Sequence, residues 1–338
     1  MTPSPWGRLS SSRVGPTTPA LVPRSGIDRV ATYSVVVPSY GRAPYLERCV
    51  DALLRQSLDP DEIVIALRED DRPSWDAVAR FGTRIRVITV PPTGVVAALN
   101  QLVESSSGSV IAIADDDAEP HEDWLETIAR WFSTHPEVGG VGGRDIVRHS
   151  GVIDDGHAPV VGRITWWGRL IGRHHLQSTV QRVMYLKGAN MAYRREALPP
   201  FDGRLHGQGA QVCNDLDVSL AAFRSGWTVI YDPDVTIDHY PAPRMDDDRR
   251  KGRSRAAQCA EQHNELYVLL KHQPAWQRPL LIGYRLLIGY RKAPGLLTGY
   301  AFLVLRAPFA GGAGRTFLRD LARARMAAVH TWLDSARQ

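Results

Sequence analysis

The sequence predicts an α/β domain with a mainly parallel sheet flanked by helices, and three observations support this class. Hydrophobic residues make up 43% of the chain and charged residues 23%, which is typical of a folded soluble protein. From Thr32 to Ala114, β-rich apolar runs alternate with segments of helical spacing. Polar or acidic residues follow several of these runs. Strands that alternate with helices form parallel sheets covered on both faces, and ligands bind where such strands end.

The predicted elements alternate regularly up to residue 114. Valine, isoleucine and leucine dominate the strands, and apolar residues three and four apart mark the helices. The expected order is strand 33–37, helix Leu46–Leu54, strand 62–67, short helix Trp75–Ala79, strand 84–90, helix 95–103 and strand 110–114.

The pattern weakens after about Trp131. Residues 148–182 show little periodicity, which indicates a long loop, and long loops inside compact domains are usually functional. The expected elements here are a glycine-rich strand 138–147, a helix 214–225, and two short strands at 227–231 and 235–237.

Three consecutive aspartates, Asp115, Asp116 and Asp117, directly follow the apolar run 110–114. Such a cluster repels itself unless a cation lies within it. Aspartates also form turns and helix N-caps, but the acidic helix start at Glu122 already supplies enough acid for capping. Because Mg²⁺ binds one or two carboxylates together with phosphate oxygens, the cluster predicts a site for a metal and a phosphorylated ligand.

The charge is unevenly distributed along the chain. Residues 249–338 contain 16 lysines and arginines against 4 acidic residues, whereas residues 1–248 contain 25 against 32. We therefore expect the basic tail to bind an anionic partner, either a membrane surface or a nucleic acid.

The expected organisation is a disordered segment 1–30, a domain 31–245 and a helical extension 246–338. The first segment is rich in proline, serine, threonine and arginine and lacks the apolar core of a signal peptide. The three cysteines form no spacing pattern, which indicates a reducing compartment and excludes a disulfide framework or a cysteine-based zinc site.

The segment 280–309 is apolar but carries Arg285, Arg291, Lys292 and Arg306. Its longest uncharged stretch, Ala293–Leu305, is 13 residues long, whereas a membrane-spanning helix needs about 20. We expect an interfacial segment whose basic face contacts anionic lipid. Packing of its apolar face on the preceding domain is the open alternative. Nucleic-acid binding is disfavoured, because the segment is too apolar and contains no recognition motif.

Short motifs recur in a fixed order between Ser34 and Tyr240, and together they resemble the family 2 glycosyltransferases with the GT-A (Rossmann-like) fold. The motifs are Val35–Arg42, Asp70-Asp71, Gly94–Asn100, Gly108–Asp117, Gly188–Arg195, Asn214–Asp217, and Asp232-Pro233 followed by His239.

The resemblance implies a donor site and a metal site. The implied metal ligands are Asp117 and His239, which would hold Mn²⁺ or Mg²⁺ against the donor diphosphate. The implied donor-binding residues are Pro38, Ser39, Tyr40, Arg42, Asn100, Asp115 and Asp116, with Asp70 or Asp71 contacting the base.

The resemblance also implies an acceptor side, formed by Gly188, Ala189, Asn190 and Asn214, and a catalytic base, Asp215. A carboxylate within hydrogen-bond reach of a hydroxyl is the group that general-base catalysis requires. Two departures from the family pattern stand out. The chain has Glu69-Asp70-Asp71 where Asp-Asp-Gly-Ser is common, and Asn214 where glutamate is usual.

The function implied is an enzyme that moves a sugar from a nucleotide-diphosphate sugar to a glycan or lipid-linked acceptor, with inversion. The chain lacks the Gln-x-x-Arg-Trp motif of processive synthases, which favours single addition. The expected setting is envelope or surface glycan synthesis, in the cytoplasm at the inner face of the cell membrane. Two alternatives stay open, a nucleotidyltransferase of sugar phosphates and a non-catalytic sugar- or partner-binding domain.

Overall fold

Parallel strands form the centre of the fold. The computed structural model describes residues 31–91, 94–148, 156–243, 254–290, 293–305 and 312–337. The segment 1–30, for which disorder is expected, lies outside these residues, as do Arg291, Lys292 and Arg306 of the basic tail.

The strands are β1 (Tyr33–Pro38), β2 (Glu62–Arg68), β3 (Arg86–Val90), β4 (Val110–Ala114), β5 (Ala118–Pro120), β6 (Val138–Val147), β7 (Arg163–Ile164), β8 (Leu170–Ile171), β9 (Gln181–Arg182), β10 (Asn190–Arg194), β11 (Thr228–His239), β12 (Gly289–Tyr290) and β13 (Ala293–Pro294). The α-helices are α1 (Ala43–Leu53), α2 (Arg72–Ala79), α3 (Val95–Ser105), α4 (Trp124–Thr134), α5 (Asn214–Arg224), α6 (Arg255–His272), α7 (Arg278–Gly283), α8 (Leu296–Leu305) and α9 (Gly312–Ser335). A π-helical turn, Tyr284–Ile288, continues α7 directly.

The main sheet has the order β3-β2-β1-β4-β10-β6-β11-β5, with β9 added beside β11. Strands β1 to β4 pair in parallel, as do β6 and β11. Strand β10 lies antiparallel between β4 and β6. Its first residues therefore lie at the same sheet edge as the carboxyl ends of β1, β4 and β11, and this edge carries the polar motifs.

Alternating side chains of the strands fill two apolar clusters, one on each face of the sheet. Val35 and Val37 of β1 belong to the cluster covered by α1 and α4, whereas Val36 belongs to the cluster covered by α3 and α5. The period of two is that of a β-strand, so both faces of β1 are buried, as the α/β class requires.

Several local expectations from the sequence were wrong. Residues 228–239 form one strand rather than two, with a register shift between Asp232 and Thr236. Strand β10 was not expected at all. The third strand begins at Arg86, because Gly82–Arg84 form a 3-10 turn. The predicted loop 148–182 contains the short strands β7, β8 and β9 in its described part.

The tail packs on the domain instead of standing apart from it. Leu266 and Leu269 of α6 and Leu281 of α7 are buried in the same apolar cluster as Val36. Arg285, expected on a basic face, is 2% exposed and ion-paired with Glu265 at 2.6 Å, so that expectation was wrong for this residue. Among the described residues, no helix is both long and apolar enough to span a membrane.

Candidate active site

A cavity of about 330 Å³ opens at the sheet edge where the motifs meet. Its walls come from the turn after β1, the aspartates after β4, the turn before β10, the start of α5 and the end of β11. Predicted site residues that line it are Pro38, Ser39, Tyr40, Arg42, Asp115, Asp116, Gly188, Ala189, Asn214, Asp215 and His239. None of these residues lines two other cavities of the described chain, which measure about 600 and 770 Å³.

Asp116 is held by the turn that follows β1. Its carboxylate accepts hydrogen bonds from Ser39 Oγ and from Arg42 Nη1, both at 2.7 Å. Burial raises the pKa of Asp116 to about 6, although the Arg42 guanidinium opposes this shift. The motif Pro38–Arg42 is thus joined to the aspartate cluster by direct hydrogen bonds.

Asp117 faces the end of β11. Its Oδ1 lies 3.2 Å from His239 Nε2, and its Oδ2 accepts a hydrogen bond of 2.9 Å from the Ala242 N–H. Burial alone would raise the pKa of Asp117, but His239, the Ala242 N–H and Arg42 hold this pKa well below its usual value. Asp117 is therefore an anion despite being 2% exposed.

Asp115, Asp117 and His239 form a set that can hold a metal ion. Each offers one ligand atom, and these atoms all lie within 4.8 Å of one another. Two carboxylates and one imidazole fit a divalent cation, since carboxylates suit Mg²⁺ and Mn²⁺ and the imidazole favours the transition metal. The cluster predicted from the sequence thus has the donor chemistry expected of it.

Asp215 lies in the first turn of α5, on the wall formed with the turn before β10. Its Oδ2 accepts a hydrogen bond of 3.0 Å from the Gly188 N–H, and its Oδ1 accepts one of 2.8 Å from the Leu216 N–H. Burial raises the pKa of Asp215, while these two N–H groups and Lys187 oppose the shift. The carboxylate is oriented by the motif predicted to form the acceptor side.

Lys187 and Asp145 belong to this site, although the sequence did not indicate them. Lys187 lines the cavity, and its Nζ lies 2.6 Å from Asp145 Oδ2 on β6. Burial lowers the pKa of Lys187, but Asp145 and the nearby Asp115 and Asp215 outweigh it and the pKa is raised. The only signal was that Lys187 directly precedes the Gly188 motif; nothing in the sequence marks Asp145.

Besides the buried Asp117, four predicted residues do not line the cavity. Asp71 caps α2 and accepts a hydrogen bond of 2.7 Å from the Gly41 N–H, whereas Asp70 is exposed and ion-paired with Arg68 at 2.6 Å. Asn100 and Asn190 bond to other parts of the domain, through Phe201 and through Trp124 and Val235. Their predicted ligand contacts stay predictions.

Asn214 does line the cavity, but its amide is directed back along the chain. Its Nδ2 donates to the carbonyls of Ala210 and Gln211 at 3.3 and 3.1 Å. Since these bonds close the turn that leads into α5, Asn214 supports the start of the helix that carries Asp215.

Residues 34–199 match the family model described as "Glycosyl transferase family 2". This stretch contains β1 to β10 and therefore the aspartate cluster and the Gly188 motif. Residues 34–199 therefore form a glycosyltransferase family 2 domain.

Relatives of this family 2 chain agree over shorter stretches. The uncharacterised glycosyltransferase EpsJ of Bacillus subtilis is 34% identical over 89 residues, which cover 25% of either chain. The chain spans between 11% and 33% of the length of three such relatives.

Solved structures share the fold over most of the family 2 chain. The mannosyltransferase PcManGT of Pyrobaculum calidifontis has a TM-score of 0.50 at 18% identity, over 91% of this chain and 88% of that one. TarS 1–349 of S. aureus has a TM-score of 0.57 at 13% identity, over 88% and 81%. The predicted GT-A fold, a mainly parallel sheet flanked by helices, is thereby confirmed.

Proposed function

We propose that this family 2 chain transfers a sugar from a nucleotide-diphosphate sugar to an acceptor hydroxyl, with inversion at the anomeric carbon. The observation that carries the proposal is the placement of two chemically different groups in one cavity. Asp115 and His239 of the metal-ligand set line this cavity at the strand ends, with Asp117 buried beside them, and Asp215 lines the cavity from α5.

The bond changes assign a task to Asp215. In a direct displacement, the acceptor oxygen bonds to the anomeric carbon, the bond from that carbon to the diphosphate breaks, and the nucleoside diphosphate leaves. The acceptor hydroxyl proton goes to the Asp215 carboxylate, which the Gly188 and Leu216 N–H groups hold in place. Direct displacement inverts the anomeric carbon in one step and requires no covalent nucleophile.

A divalent ion fits the donor side. Asp115, Asp117 and His239 would hold Mn²⁺ or Mg²⁺, and the bound ion would neutralise the charge of the diphosphate leaving group. Ser39 and Arg42 keep Asp116 fixed beside this set. PcManGT, which shares the fold, was solved with GDP-Man and Mn²⁺, and this supports the same ligand class.

We further propose that the acceptor is a glycan or a lipid-linked glycan in envelope or surface glycan synthesis, with the protein in the cytoplasm and peripheral to the inner face of the cell membrane. The relative from Haloferax volcanii named glucosyl-dolichyl phosphate glucuronosyltransferase is 30% identical over 116 residues, and its name describes a lipid-linked substrate. The excess of lysine and arginine over acidic residues in 249–338 supports an anionic membrane as partner.

The test is hydrolysis of a panel of nucleotide sugars with Mn²⁺, where water replaces the acceptor. We expect turnover of at least one donor, complete loss in EDTA, and recovery when Mn²⁺ is restored. Asp215→Asn should lower this turnover by roughly 10²–10⁴-fold, the usual contribution of a general base, and leave donor binding intact. Asp117→Asn should lose metal-dependent donor binding.

The matched control is Asp76→Asn, which changes an exposed aspartate of α2 outside the cavity. It should behave as the unmodified protein. Equal turnover in Asp215→Asn and Asp76→Asn would refute the role of Asp215. Absence of donor binding across the whole panel, with and without metal, would refute the proposed function.

A further inference from the structure

The C-terminal helices carry an apolar surface that the rest of the described chain leaves exposed. Tyr300 is 69% exposed, Leu297 62% and Trp166 60%. Single exposed apolar side chains are ordinary, but a large connected patch usually marks an interface. We define this apolar surface by Trp166, Trp276, Leu280, Leu287, Leu297 and Tyr300.

Specific contacts connect the parts of the apolar surface. The turn that carries Trp166 is fixed to the α7 segment, because the Gly168 carbonyl accepts a hydrogen bond of 2.8 Å from buried Arg285, and Leu281 fills the space beside Gly168. The buried residues Leu281 and Arg285 define the inner side of α7 and its π-helical turn. Leu280 and Leu287 are exposed on the outer side.

Helix α8 is joined to this segment and to α9. The Gly295 N–H donates to the Ile288 carbonyl at 2.7 Å, which places the start of α8 against the end of the π-helical turn. Leu318 of α9 occupies the space where a side chain on Gly299 would stand. Leu297 and Tyr300 lie on the same helix as Gly299, so α9 packs beside the helix that carries them.

A line of exposed arginines runs along α9, the helix that packs beside α8. Arg315, Arg319 and Arg323 are four residues apart on α9 and all exposed, so they share one helix face. Arg315 and Arg319 flank Leu318, the residue that contacts α8. Within the described part of the chain, neither Arg315 nor Arg319 has an acidic partner.

We propose that the apolar surface docks on an anionic lipid bilayer, with Leu297, Trp166 and Tyr300 inserted at the headgroup level and Arg315 and Arg319 contacting lipid phosphates. Exposed tryptophan and tyrosine are the side chains that favour the membrane interface, and adjacent basic residues add attraction to anionic lipid. Charge complementarity thus favours a bilayer as the occupant. The inference rests on the proposed function in one respect: that function names a membrane as partner, and the inference assigns the residues that contact it.

The experiment is co-sedimentation of the full chain at low salt with two vesicle types. One is phosphatidylcholine alone, and the other contains about a third phosphatidylglycerol. We expect clear binding to the anionic vesicles and weak binding to the neutral ones. Arg315→Gln/Arg319→Gln should weaken anionic binding by roughly thirtyfold, since each arginine near anionic lipid contributes about 1 kcal/mol. Leu297→Ser/Tyr300→Ser should weaken binding to both vesicle types.

Two controls match these variants. Arg55→Gln/Arg84→Gln removes the same charge at exposed positions of the family 2 domain, and Val180→Ser removes an exposed apolar side chain elsewhere. Both should bind as the unmodified chain does. Equal losses in the control and surface variants, or absence of binding to anionic vesicles, would overturn the proposal.

Two further measurements separate this proposal from its rivals. If Leu297→Ser/Tyr300→Ser converts a dimer to a monomer in light scattering while vesicle binding is unchanged, the surface joins two copies of the chain and the membrane proposal is wrong. Donor binding by thermal shift, measured on the same samples, reports on the sugar-transfer function separately. If the chain binds a nucleotide sugar but does not bind vesicles, only the membrane proposal is refuted and the sugar-transfer function is unaffected.

Discussion

At the scale of single residues, neighbouring aspartates of the cluster differ in pKa because their partners differ. Asp116 has a pKa raised to about 6, because its burial outweighs Arg42. Asp117 is equally buried, but His239, the Ala242 N–H and Arg42 hold its pKa well below the usual value. The ligand role proposed for Asp117 therefore agrees with its ionisation, and Asp116 is the carboxylate that binds the turn after β1.

The pKa of Asp215 should set the pH below which turnover falls, and the charge of Lys187 should lower that pKa. Asp215 accepts a proton only when ionised, and its raised pKa means that activity falls as pH decreases through that pKa. Lys187 favours the ionised form. Asp145→Asn/Lys187→Met removes both members of the ion pair, so the buried Asp145 is not left as a lone charge, and the pKa of Asp215 should rise further. The measurement is the pH profile of nucleotide-sugar hydrolysis.

The acid limb of this profile should move to higher pH, while the rate on the plateau changes little. Arg182→Gln, which removes one exposed positive charge outside the cavity, is the control and should leave the limb in place. An unchanged limb in Asp145→Asn/Lys187→Met would show that Lys187 does not act on Asp215.

Site residues that belong to short local motifs could be predicted from the sequence. Site residues that reach the cavity only through the pairing of distant strands could not. The alternating pattern predicted that Asp115 and Asp117, which directly follow a strand, lie at a ligand-binding edge of the sheet, and the family resemblance implied that Asp215 and His239 join them there. Asp145 lies within the ten-residue strand β6 and reaches the site only because β6 lies next to β10. No sequence pattern reports that pairing.

At the scale of elements, Glu62 connects neighbouring strands at the edge of the sheet opposite the cavity. Its carboxylate accepts hydrogen bonds from Ser34 on β1, from Ser107 before β4 and from Arg86 on β3, at 2.5–2.9 Å. Burial would raise its pKa, but these donors lower the pKa from 4.5 to about 2. One side chain thus links β3, β2, β1 and β4, which are neighbours in the sheet.

Glu62→Gln should destabilise the chain at neutral pH and reduce its acid sensitivity. Because the folded-state pKa is depressed, the stability from Glu62 is present above pH 4.5 and is lost as pH falls towards about 2. The shift in pKa corresponds to about 3 kcal/mol, and because solvent screens this partly exposed side chain we expect a loss of about 1–2 kcal/mol at pH 7. Urea midpoints at neutral and acidic pH give the comparison. Glu104→Gln, an exposed change on α3, is the control; equal losses in both variants would contradict the assignment.

The element boundaries show where sequence patterns are insufficient. Strand β10 follows directly on a glycine-containing motif and is only five residues long, and its side chains are buried on both faces, so it lacks the alternation that marks a strand. Asp232 and Pro233, residues typical of turns, lie between the two short strands that the sequence predicts within β11. The structure accommodates them as an irregularity within one strand, since the flanking residues pair with β6.

At the scale of the whole molecule, α6 supports the loop that leads to Asp215. The Asn264 side chain accepts a hydrogen bond of 2.7 Å from the His206 N–H and donates to the carbonyls of His206 and Val212, both at 2.9 Å. Lys271 lies 2.8 Å from Asp202 and 2.9 Å from Asp217 on α5. The boundary expected between residues 245 and 246 therefore crosses a shared core and a shared polar network.

These contacts predict that the family 2 domain and its C-terminal helices unfold together. Removal of residues 246–338 would expose the apolar cluster that contains Leu266, Leu269 and Leu281 and would leave Asp202 and Asp217 without Lys271. We expect the full chain to melt in one transition by circular dichroism and by tryptophan fluorescence, and the shortened chain to show no cooperative transition.

Asn264→Ala, a milder change, should lower the unfolding free energy by about 1–3 kcal/mol, because it leaves buried polar groups unpaired. Trp276→Ser, on the exposed surface, should cost much less. A shortened chain that melts at the temperature of the full protein and still binds a nucleotide sugar would show instead that residues 31–245 fold independently, and that α6 does not position Asp215.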